Sequence, residues 1–185
     1  MRKVLDEYPG LACHYLLVGQ GEVFTEPTLT QTVLGSCVSV TFFCRKTGVG
    51  GLFHALLPYK GEYESGNGVA EPYKYVDSAI ERICARLEDR RVRLRDVECK
   101  VFGGAGTIFR DGSCIGEKNV RAAFETLAAM RLRVTASHVG GGRGRKIVFA
   151  AHTGEVYVKL LRGDPPGQGG QRIQRAGQER IPGKR

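Results

Sequence analysis

An α+β layered domain is the fold class this sequence predicts, on two observations. Strand-like runs with period-two alternation fill the first and last parts of the chain, several of them joined by hairpin-length turns. Between them stand two segments of helical period, placed as crossover connections. That mixture of hairpins and crossovers disfavours a doubly wound sheet, in which strands and helices alternate throughout. The balance of 42% hydrophobic and 25% charged residues over 185 positions suits one globular domain with a sizeable core.

The elements follow in order. Cys13 to Val18 reads as a first strand, closed by the turn Gly19-Gln20-Gly21. Thr30 to Leu34 leads into Gly35-Ser36-Cys37, after which Val38, Val40 and Phe42 alternate with Ser39, Thr41 and Phe43 as a second strand. Arg45-Lys46-Thr47-Gly48 supplies a turn, and Val49 to Leu57 returns as the partner strand until Pro58 ends it. Residues 59–68 form a polar, glycine-containing loop long enough to cover a site. From Tyr75 the period becomes helical, with Val76, Ile80, Ile83 and Leu87 on one face and an end near Arg90. Glu98 to Phe102 is a strand running into Gly103-Gly104-Ala105-Gly106, and Asn119 to Met130 a second helix with Val120, Phe124 and Leu127 on one face. Leu132 to Ser137, Lys146 to Ala151 and Val156 to Leu161 complete the strands, the last two joined by a hairpin turn at Thr153-Gly154.

The segment from Gly163 to Arg185 is rich in Gly, Pro, Gln and Arg and nearly devoid of apolar residues, so burial cannot repay the entropy of ordering it. It is expected to be a disordered basic tail, which leaves residues 1–162 as the domain. No apolar run approaches the ~18 residues of a membrane span, and the start of the chain lacks a signal peptide's apolar core. A cytoplasmic protein without membrane insertion is expected. The cysteines at 13, 37, 44, 84, 99 and 114 are scattered, which favours reduced thiols, and neither they nor the four histidines show metal-ligand spacing. The net charge of +9 points to an acidic partner. The glycine runs at 103–106 and 140–144 match neither a dinucleotide fingerprint nor a P-loop, so they are read as tight turns or close backbone approaches.

One constellation carries chemistry. Cys37 follows Gly35-Ser36, where the backbone can turn sharply and leave amide groups free, and it opens a strand. His54 ends the next strand pattern. If the two strands pair, thiol and imidazole meet as a nucleophile with its base. Most cysteines are inert core residues, and those three features set this one apart.

The residues also carry a family resemblance. Leu34 to Val38, His54-Ala55-Leu56-Leu57-Pro58, Tyr73 to Asp77, Lys100 to Ala105, Ile115-Gly116 with Asn119, and Val139-Gly140-Gly141 followed by Gly144-Arg145 resemble CheD, the bacterial chemoreceptor glutamine deamidase, over roughly residues 15–161. The resemblance implies a β-sandwich-like core flanked by helices, related to that of glutamine-deamidating toxins. It implies Cys37 as nucleophile, His54 as its base holding it as an ion pair, and a threonine as third member. The Ser36 and Cys37 amides would receive the oxyanion, and neither metal nor organic cofactor would be needed. Methyl-accepting chemotaxis receptors would be the protein substrate, and a CheC-type phosphatase, bound by some relatives, a second partner.

The third member departs from the family pattern. The threonine commonly stands six residues before the cysteine, where this chain has Gln31 between Thr30 and Thr32. On an extended strand Thr30 and Thr32 share a face and Gln31 points the other way. Either the Thr32 hydroxyl orients His54 or the substrate amide, or the Gln31 amide takes that role. Thr32 is favoured, because a hydroxyl both donates and accepts within one short side chain. Two rivals remain: a basic nucleic-acid-binding module using Arg143, Arg145, Lys146 and the tail, which lacks a recognisable motif, and a non-catalytic partner of chemotaxis proteins, which leaves Cys37 and His54 without a purpose.

Overall fold

The computed structural model describes residues 7–63, 71–106, 114–162 and 179–181. The strands are β1 (Cys13–Tyr15), β2 (Gly21–Phe24), β3 (Leu29–Leu34), β4 (Val38–Cys44), β5 (Val49–Phe53), β6 (Val97–Gly103), β7 (Arg133–Val139), β8 (Arg145–Ala150), β9 (Glu155–Leu160) and β10 (Glu179–Ile181). Two longer helices accompany them, α1 (Val76–Glu88) and α2 (Ile115–Ala129). The strands form two five-stranded sheets, ordered β1-β3-β8-β9-β10 and β2-β5-β4-β6-β7. The fold class is α+β: two sheets stacked as a sandwich, with the helices on the outer face of the second.

The alternation along β4 explains the layering. Val38, Val40 and Phe42 turn outward to meet Ile80, Ile83 and Leu87 of α1 and Leu127 of α2. The opposite face of the second sheet, with Leu52 and Phe102, packs on Leu34, Ile147, Phe149, Val156 and Val158 of the first. All seven residues of β4 are therefore buried. Each fully buried aliphatic side chain in such layers contributes ~1.5–3 kcal/mol. Within the first sheet, Leu34 marks the inward face of β3, so Thr30 and Thr32 share it, while Leu29 packs outward with Val148 and Tyr157.

Several boundaries differ from the expected ones, each for a physical reason. The expected turn at Gly19–Gly21 runs directly into a strand, Gly21–Phe24, that the sequence pattern does not announce, because a glycine opens it and only Val23 among its four residues is buried. The first strand is shorter than expected, since past Leu16 the chain leaves β3 for a turn against His54. Helix α2 starts at Ile115, four residues before Asn119, and its buried face consists mainly of Gly116, Asn119, Ala122, Ala123 and Leu127, with Val120 and Phe124 only partly covered. Small residues are needed there because a Cβ on Gly116 would stand 2.7 Å from the Ala105 carbonyl oxygen. The expected loop at 59–68 contains a helical turn, Lys60–Tyr63, and its remainder lies outside the described residues. Most of the expected disordered tail also lies outside them, while Glu179–Ile181 pairs antiparallel with β9. Among the described residues no helix is long and apolar enough to cross a membrane.

Candidate active site

Strands β4 and β5 pair antiparallel, and beyond their ends Val38 and Ala55 still exchange both backbone hydrogen bonds, at 3.0 and 2.9 Å. That register sets His54 opposite Ser39 and Cys37 opposite Leu56, so Cys37 and His54 are diagonal neighbours on the face that looks into the sandwich. Diagonal neighbours stand ~7–8 Å apart at Cα, within reach for an imidazole and a thiol. Cys37 is half-buried at the edge of the inter-sheet core.

His54 is held from both sides. Its backbone N–H donates to the Gln20 carbonyl and its carbonyl accepts from Gly19 N–H, each at 2.8 Å. Its Nδ1 lies 2.8 Å from the Thr32 hydroxyl, which in turn donates to the Leu16 carbonyl at 2.7 Å. The hydroxyl has one hydrogen, and Leu16 takes it, so the Thr32 oxygen must accept from Nδ1–H. The ring is thereby fixed with Nε2 unprotonated. Nε2 is buried and has no hydrogen-bond partner among the described residues.

Burial sets the electrostatics. His54 is 6% exposed, and desolvation pulls its pKa down to about 4, against a smaller opposing effect from the Leu16 backbone. Burial also pushes the Cys37 thiol up, partly offset by its own backbone amide. Both shifts favour the neutral thiol and neutral imidazole over the ion pair expected from the sequence. The same shift bears on stability. His54 ordinarily titrates at 6.5, so between that pH and about 4 the unfolded chain binds the additional proton. Stability contributed by neutral His54 is present above pH 6.5 and is lost as pH falls through that window, to a total on the order of 3 kcal/mol. Urea midpoints at pH 7 and pH 4.5 should therefore converge in His54→Gln relative to the wild-type chain.

The remaining expected site residues separate cleanly. Thr32 is fully buried and touches His54, whereas Thr30, also fully buried, leaves its hydroxyl without a partner among the described residues. Gln31 lies on the opposite face of β3, away from His54, with its backbone carbonyl accepting from Leu16 N–H at 2.9 Å. Ser36 borders a cleft of about 220 Å³ together with Gly35, Ala105, Gly106, Ile115 and Gly116. The carbonyls of Gly35, Ser36 and Cys37 accept respectively from Ala105 N–H, Asn119 Nδ2 and Gly104 N–H, while the Ser36 and Cys37 amides donate to no backbone carbonyl among the described residues.

The glycine runs act as the sequence suggested. Gly103 has φ +111° and so close a contact with the Cys37 carbonyl that a Cβ would stand 2.1 Å from its oxygen. Arg145, counted by the nucleic-acid rival among its surface cations, is 1% exposed and donates to the carbonyls of His138 and Gly140. It braces the second glycine loop and is not available to a phosphate backbone. Asn119, which the sequence places only in the family motif and at the start of a helix, is fully buried on that helix and reaches the Ser36 carbonyl.

Comparison with known proteins supplies the family. Residues 56–160 match the family model described as CheD chemotactic sensory transduction. The chain is 44% identical over 160 residues to a probable chemoreceptor glutamine deamidase CheD of Oleidesulfovibrio alaskensis, covering 82% of this chain and 74% of that protein. It is 41% identical over 159 residues to the corresponding protein of Nitratidesulfovibrio vulgaris, covering 82% and 79%. Against the probable chemoreceptor glutamine deamidase CheD 2 of Geobacter sulfurreducens it is 41% identical over 158 residues, covering 83% and 93%. With the family model spanning more than half of the chain and these relatives extending over most of its length, the chain belongs to the CheD family.

Proposed function

We propose that this chain is a cysteine amidohydrolase that converts glutamine side chains of chemoreceptors to glutamate, with release of ammonia. The observation that carries this reading is the buried, unpartnered Nε2 of His54, fixed as an acceptor through Thr32 and set diagonally to Cys37. Nε2 takes the thiol proton as Cys37 Sγ attacks the amide carbon of the glutamine. The Ser36 and Cys37 N–H groups receive the oxyanion of the tetrahedral intermediate. The His54 imidazolium gives its proton to the departing ammonia, and the thioester is then hydrolysed by water that His54 deprotonates. The net charge of +9 suits an acidic receptor surface, and a CheC-type phosphatase is the second partner that family likeness suggests.

Incubation with a receptor cytoplasmic fragment should raise its mass by about one dalton per converted glutamine, in step with ammonia release. An unchanged fragment mass with receptors that carry glutamine at their modification sites would overturn the reading.

Thr32 is the positioning member of the triad in this reading. Thr32→Val keeps the shape but leaves Nδ1–H buried without an acceptor, a cost of ~1–3 kcal/mol, and frees the ring to take the wrong tautomer. Turnover should fall about tenfold to a hundredfold, while Gln31→Leu, altered on the far face of β3, should stay within about twofold of wild type. Ammonia release by the two variants checks this, and near-normal turnover by Thr32→Val would remove Thr32 from the site.

A further inference from the structure

Strands β4 and β5 stop exchanging hydrogen bonds just where the proposed chemistry begins. After the Val38–Ala55 pair, the Leu56 and Leu57 amides both turn away to the Lys74 carbonyl, at 2.9 and 3.1 Å. The gap between the parting strands is filled by one side chain from another layer. Asn119 of α2, fully buried, donates from Nδ2 to the Ser36 carbonyl at 3.0 Å and to the Leu56 carbonyl at 2.9 Å. One carbonyl precedes Cys37 and the other follows His54 by two residues.

We infer that Asn119 is a positioning residue that aims the Cys37 N–H at the oxyanion. The Ser36 carbonyl and the Cys37 N–H belong to one planar trans peptide, in which they point in opposite directions. Holding the oxygen towards α2 therefore turns the N–H the other way. The second bond, to Leu56, prevents the Asn119 amide from rotating, so the peptide plane is fixed before substrate arrives. The flanking peptides are held as well: the Gly35 and Cys37 carbonyls accept from Ala105 and Gly104 N–H, both at 2.8 Å. Asn119 also buries its Oδ1 without a partner among the described residues. An unpaired buried acceptor costs ~1–3 kcal/mol, so stability alone favours an apolar residue at this position, and the two donated bonds supply the reason for an amide.

The inference rests on the deamidase reading, and its test separates the two. Wild type and Asn119→Ala are compared for ammonia release from a receptor fragment and for alkylation of Cys37 by iodoacetamide, followed by mass spectrometry of the labelled peptide. Alkylation is a direct displacement that forms no oxyanion, so it reports the thiol and His54 but not the aimed amide. Expected is a fall in kcat of about tenfold to a hundredfold, with KM within about twofold and the alkylation rate and its pH profile unchanged. Asn119→Ser, which retains one donor, should recover part of the loss. Wild-type kcat in folded Asn119→Ala overturns the inference, as does a parallel fall in deamidation and alkylation, which would mean general damage to the site. If the alanine variant does not fold, Asn119→Ser carries the same criteria, and failure of both to fold assigns Asn119 to stability and overturns the proposal. A wild-type chain that leaves the fragment unchanged overturns the deamidase reading instead.

Discussion

Cys37→Ala is expected to abolish deamidation while leaving the thermal midpoint close to that of the wild-type chain. The substitution removes only Sγ from a half-buried position. The bonds that hold the segment, from Gly104 N–H to the Cys37 carbonyl and from Asn119 Nδ2 to the Ser36 carbonyl, do not involve the Cys37 side chain and survive. Without Sγ no thioester forms, and the oxyanion donors have no intermediate to bind. Ammonia release from a receptor fragment checks the loss, and turnover within tenfold of wild type would displace Cys37 as nucleophile. Thiol labelling has to be read with care for exposure. Cys44, Cys84 and Cys99 are buried, but Cys13 and Cys114 are half-buried like Cys37, and burial raises the pKa of both Cys13 and Cys37. Neutral-pH reactivity alone does not single out Cys37; protection of its peptide by the receptor fragment does.

His54→Gln should lower kcat on the order of a hundredfold or more with KM little changed, because in the proposed reaction the residue acts on the proton and not on substrate binding. Glutamine retains an N–H that can reach the Thr32 oxygen and preserves volume, but it offers no basic nitrogen. The pH profile supplies an independent check. Catalysis needs neutral imidazole, and burial holds the His54 pKa near 4, so kcat/KM of the wild-type enzyme should persist well below pH 6.5 before falling. Lowering that pKa moves the acidic limb to lower pH. A limb at the ordinary histidine value would refute the depressed pKa, and a variant defective mainly in KM would make His54 a structural residue.

The layered α+β class, the pairing of the strands around Cys37 and His54, and the α1 face formed by Val76, Ile80, Ile83 and Leu87 were legible because each rests on a local period that burial enforces. The placement of Thr32 inward and Gln31 outward was legible for the same reason, since strand neighbours alternate faces. What escaped depends on contacts between distant segments. The Leu16 carbonyl, which fixes the Thr32 hydroxyl and hence the imidazole tautomer, is a backbone atom whose identity no side chain announces. The true start of α2 was hidden because Gly116, a poor helix former, is required by the close backbone at Gly104 and Ala105. The role of Asn119 escaped because its two partners, the Ser36 and Leu56 carbonyls, are backbone atoms of distant segments.

The hydrogen bond between Thr32 and His54 crosses from one sheet of the sandwich to the other. It works as a latch whose two halves belong to separate slabs of the molecule. Any opening of the slabs would release the ring while both sheets remain intact, so in the proposed reaction competence would depend on closure and not merely on being folded. In a denaturant titration, activity should disappear ahead of the strand signal. The enzyme would thus report on its own inter-sheet gap, and a partner that pries or clamps the two slabs would have a throttle on turnover without touching the thiol.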